Sequence, residues 1–161
     1  MGANELSASI WRERELLELL IFKLEEEQLL LTAGKTRWLQ HATREVEQVI
    51  ERMREANLGL SVEASAVGRE WGADEGATLR ELIAHAPAGP WGEILMSHLN
   101  AMTQLTTEIK GLRDVNEQFL RAAARSTLET LSGLTPDSST YDSHGATDAT
   151  GGRARLVDRQ L

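Results

Sequence analysis

The sequence predicts an all-α fold: an elongated antiparallel bundle of three long helices and one short capping helix, followed by a disordered C-terminal tail. Three observations carry this. Apolar residues recur at spacings of three and four over three long stretches. Aromatics make up only 4% of 161 residues, so the core must be built from Leu, Ala and Val rather than from the Val, Ile, Tyr and Phe of short alternating strands. The breaks between stretches are marked by Gly and Pro, at Ala33-Gly34-Lys35 and between Pro87 and Pro90.

The first helix is expected from about Glu5 to Thr32. Leu17, Leu20, Leu24 and Leu31 make one stripe, and Leu16, Leu19, Phe22, Leu29 and Leu30 spill onto neighbouring faces, so this helix needs cover on more than one side. Gly34 can take the left-handed conformation that ends a helix, and Thr36 can cap the next one. So short a connection folds the second helix back along the first. The second helix, expected to reach about Glu70, carries the clearest heptad seam: Leu39, Ala42, Val46, Val49, Met53, Ala56 and Leu60. Gly59 and Gly68 could weaken it beyond Leu58.

Thr78 followed by Glu81 is a capping box that opens a short helix, Leu79 to His85, placed as a cap over one end of the hairpin. Pro87 and Pro90 keep it brief. Pro90 suits the first turn of a third long helix running to about Leu131, with a seam through Met102, Leu105, Ile109, Leu112, Asn116, Phe119 and Ala123. Asn116 on that seam either fixes register or lies on a solvated edge. Residues 1–132 are thus expected to form one helical domain. Residues 133–161, rich in Ser, Thr, Gly and Asp, are expected to be a disordered tail. At its end Leu156, Val157, Asp158 and Arg159 read either as a short linear motif or as an inert terminus.

A formal charge of −8 and a pI near 5.0 argue against nucleic acid, which needs a clustered basic face. With no cysteine there are no disulfides and no thiolate metal sites, as suits a reducing cytosol. The N-terminus lacks the basic start of a secretory signal, and Leu6 stands where N-myristoylation wants Ser or Thr. Charges interrupt every apolar run before the ~20 residues that stable membrane insertion needs. The expectation is a cytoplasmic protein.

Nothing in the sequence is arranged for catalysis. His41, His85, His98 and His144 are scattered, and no phosphate-cradling glycine loop occurs. Glu25, Glu26 and Glu27 point about 100° apart on a helix and read as a solvated face. No cofactor, catalytic residue or metal site is expected, and the protein reads as a binding module. On the third long helix, Arg113, Glu117, Arg121, Arg125 and Glu129 form a polar row with Glu117 placed to pair with Arg121. Val115, Leu120, Leu128 and Leu131 lie off the Leu112, Phe119, Ala123 seam and widen its stripe. By pattern alone these four are core, with a groove for a partner helix as the alternative. Trp11, Trp38, Trp71 and Trp91 are placed near helix ends, where Trp11 and Trp71 could meet across an antiparallel hairpin.

The run Trp11 to Leu20, WRERELLELL, continued by Phe22-Lys23-Leu24-Glu25-Glu26-Glu27, resembles the opening of FlgN-type flagellar export chaperones, particularly actinobacterial ones. The likeness extends through Trp38-Leu39, Ala42 to Glu47, Ala77 to Leu82, and the tail pieces Tyr141-Asp142, Gly145 and Leu156 to Arg159. It implies a chaperone of the flagellar type III export system. Such a chaperone binds the C-terminal helical region of hook-filament junction (hook-associated) proteins, keeps them from assembling early and delivers them to export components such as the export ATPase or the export gate. In this family the C-terminal helical part carries partner binding, which makes Leu112, Val115, Phe119, Leu120, Ala123, Leu128 and Leu131 the candidate contact residues. A self-associating coiled-coil structural protein and a chaperone or adaptor of another secretion system remain as other readings.

Overall fold

Four helices follow from this punctuation: α1 (Gly2–Thr32), α2 (Thr36–Trp71), α3 (Leu79–Ala84) and α4 (Trp91–Leu134). The computed structural model describes residues 2–134, among which there is no strand. The chain divides into two compact units, residues 1–123 and 124–161; of the second, residues 124–134 are described, as the last turns of α4. The predicted helix ends hold to within three residues, with α1 beginning at Gly2 rather than Glu5 and α4 running on through Ser132 and Gly133 to Leu134.

The turn between α1 and α2 forms as expected. Gly34 has φ +65°, the Lys35 N–H donates to the Leu30 carbonyl at 2.9 Å, and the Gly34 N–H donates to that of Leu31 at 3.2 Å. This pair of bonds satisfies carbonyls that the helix end would otherwise orphan. Thr36 is not the cap expected of it: it is already helical, and Lys35 holds the cap position with no side-chain hydrogen bond. Gly59 and Gly68 do not interrupt α2, which ends only at Gly72, again with positive φ.

Side-chain contacts set the register. Lys23 donates to Glu45 at 2.8 Å, Thr43 donates to Glu27 at 2.7 Å, and a Cβ on Gly2 would stand 3.1 Å from Val67, so α1 and α2 are antiparallel along their whole length. α4 runs parallel to α1. Ser7 meets His98, and Asn116 meets Leu24 and Glu27, at sequence separations of 91, 92 and 89. Within residues 1–123, then, α1 is covered by α2 and by α4, which its crowded apolar surface required.

Two apolar clusters follow. One joins Leu17, Leu20 and Leu24 of α1 to Val46 and Val49 of α2 and Ile109 of α4, flanked by Met53, Met102, Leu105 and Leu112. The other joins Leu6 and Ile10 to Val67, Leu82 and Leu95, with Trp71, Leu79 and Ile83 around it. Leu82 is the means by which α3 caps the hairpin. Thr78 and Glu81 exchange the two hydrogen bonds of the capping box that starts α3. Each fully buried Leu contributes about 1.5–3 kcal/mol.

Trp11 and Trp71 are placed otherwise than expected. Because α1 starts early, Val67 and Glu70 lie against Gly2, and Trp11 stands more than two turns further along. Trp71 packs on the Leu6 cluster, whereas the Trp11 ring stands perpendicular to that of His98, with centroids 5.4 Å apart, and carries the Arg14 guanidinium over its face at 4.2 Å. His98 is buried. Arg14 faces its Nδ1 at 3.4 Å and, being only a donor, requires that nitrogen to accept, which leaves the Nε2–H to donate to the Ser7 hydroxyl at 3.1 Å. Burial, and then the neighbouring Arg14 charge, push the His98 pKa below 6.5. A histidine that resists protonation when folded destabilises the fold as pH falls through the unfolded value. The stability of the wild type relative to His98→Gln is therefore expected to drop between pH 7.5 and 5.5, as measured by urea melts across that range.

Candidate functional site

The site begins where the bundle ends its hold on α4. Asn116 is 2% exposed, and its amide nitrogen donates to the Leu24 carbonyl at 2.9 Å and to Glu27 Oε2 at 3.0 Å. Glu27 Oε1 accepts from Thr43 on α2 at 2.7 Å. Three helices are thereby tied at one buried polar point. Glu27 is therefore not part of a solvated face: it is 5% exposed and hydrogen-bonded on both oxygens, while Glu26 pairs with Lys23 and Glu25 is exposed. Asn116 therefore does not lie on a solvated edge: it is buried on the seam. Asn116→Ala would strip a donor from two buried acceptors, and a loss of about 1–3 kcal/mol is expected in chemical denaturation.

Beyond Asn116 the cover stops. Every residue from 117 to 134 is exposed, although the helix continues. Of the candidate contact residues, Leu112 is half-buried against the Leu17 cluster, and Val115, Phe119 and Leu120 are 37%, 39% and 37% exposed. Ala123 is exposed too, and Leu128 and Leu131 stand at 66% and 57%. The pattern-based placing of Val115, Leu120, Leu128 and Leu131 in the core is thus corrected. The heptad seam is continuous in sequence, but burial along it ends at Asn116. Leu134 is 73% exposed as well. Glu117 and Arg121 form the expected ion pair.

Exposed apolar side chains on a regular helix are what a helix presents to a partner. A family model described as FlgN protein matches residues 1–149. The chain belongs to the FlgN family. It is accordingly a flagellar export chaperone. No curated protein and no solved structure matches it.

The described residues of this FlgN chaperone are helices and the connections between them. No helix among them is long and apolar enough to cross a membrane, and no group of three or more His, Asp or Glu is placed to hold a metal ion. The tail motif Leu156, Val157, Asp158 and Arg159 lies outside the described residues.

Proposed function

We propose that the exposed apolar residues of α4, Val115, Phe119, Leu120, Ala123, Leu128 and Leu131, bind the C-terminal helical region of hook-filament junction proteins. The protein holds these hook-associated subunits in the cytoplasm, prevents premature assembly and passes them to the export ATPase or export gate. The observation that supports this reading is a helix kept regular over residues 117–134 with all of its apolar residues exposed. Large exposed apolar surface is a liability unless a partner covers it. A client that later polymerises through amphipathic helices offers a matching stripe.

Co-purification of the full chain with the C-terminal segments of the junction proteins from the same organism, followed by calorimetry, tests it. Stoichiometric binding is expected. Failure to bind any of them, together with a stable dimer in sedimentation, would favour a self-associating coiled coil. Phe22 and Leu29 on α1, at 52% and 68% exposure, are the surface such a dimer would use.

A further inference from the structure

A second surface, on the bundle itself, is built around a buried charge. Between the helices of residues 1–123 lies a groove of about 750 Å³. Its base is Glu13, Leu17 and Leu20 of α1, and Met53 and Leu58 of α2 face Met102 and Ile109 of α4 across it. Glu13 is 5% exposed, its Oε2 has no hydrogen-bond partner, and no described cation pairs with it. Burial pushes its pKa up. A carboxylate held so, among leucines, costs stability that an apolar residue of similar size would not. A partner arriving with a cation would remove that cost.

The other charges narrow the partner. Arg54 and Arg113 line the same groove. Arg54 is matched by Glu51 at 2.9 Å, whereas Arg113 has no ion pair among the described residues. The groove therefore favours one cation at Glu13 and repels a basic run. The α4 wall from Met102 to Arg113 spans about 16 Å, or three helical turns.

We infer that this groove is a docking site for a short amphipathic helix of a partner protein, one that carries a single Lys or Arg within its apolar face to meet Glu13. Its lining on α4 ends at Arg113, before the residues proposed to bind the junction proteins, and it does not depend on what those bind.

The four methionines make the test direct. Met53 and Met102 line the groove, and Met96 lies on another face of α4. The full chain, labelled at its methionine methyls, is titrated with a capped 14-residue Leu-Ala amphipathic peptide bearing one Lys in its apolar face. A second titration uses the same peptide with that Lys replaced by Met. Saturable shifts at Met53 and Met102 with Met96 unmoved, and at least tenfold weaker binding of the Met peptide, are expected. Glu13→Gln should abolish the preference for Lys, and Thr106→Trp, which fills the groove from α4, should block both peptides. Four results would overturn the proposal: no shifts, shifts at Met96 alone, equal affinity for the two peptides, or Met53 and Met102 signals that change with protein concentration alone. The last would mean that a second copy occupies the groove.

Discussion

Val46→Asp is expected to abolish the cooperative fold at neutral pH. Val46 is buried against Leu17, Leu20, Leu24, Val49 and Ile109, at the point where α2 closes over α1. An aspartate there would be an ion without a partner in an apolar cluster. The penalty for such a group is several kcal/mol, of the same order as the 5–15 kcal/mol by which a domain is stable. Val46→Ala at the same site should cost only about 2 kcal/mol, the transfer value of the atoms removed. Gln48→Asp, two residues on and exposed, should change stability by no more than about 0.5 kcal/mol. Circular dichroism and thermal melting separate the three. Partial recovery of Val46→Asp below about pH 5, where the new carboxyl is neutral, would identify the charge rather than the shape as the cause. An unchanged melt at pH 7 would mean that the α2 seam does not face α1.

That seam was legible because its cause is local and periodic. Leu39 through Leu60 repeat at three and four whatever lies opposite, and Gly34 and the Thr78–Glu81 box are complete within a few residues of themselves. The polar burials were not legible for the opposite reason. Glu27 reads as one of three solvated carboxylates until Asn116, 89 positions away, donates to it. His98 stood alone in sequence, and its partners Ser7, Trp11 and Arg14 come from α1. Glu13 stands between Arg12 and Arg14 in a charged run, and its one signal was its spacing, three residues after Ile10 and four before Leu17 on the buried stripe of α1. The limit of the core on α4 was hidden too. The pattern that runs through Ile109 and Leu112 continues through Phe119 and Ala123, so periodicity shows a face and not what meets it. The only residue on that seam that marks the boundary is Asn116, and it does so through its bonds.

Phe119→Asp puts the consequence of that boundary to the test. Phe119 occupies the same seam as Ile109, yet Ile109 is 8% exposed and Phe119 39%. An aspartate at Phe119 keeps much of its hydration, so helicity should be retained and the melting transition of the bundle should move by less than about 1 kcal/mol in free energy. Client binding should respond far more. A Phe ring removed from a helix-in-groove contact forfeits about 1.5–3 kcal/mol of burial, and a charge left facing the client's apolar stripe adds to it. That corresponds to a loss of affinity of tenfold or more, read by calorimetry on the junction-protein segment. Leu128→Asp, further along α4 at 66% exposure, should reproduce the loss with still less effect on melting. Unfolding of Phe119→Asp would instead assign that ring to the core. Retained folding with full client affinity in both variants would move the binding surface off α4 altogether.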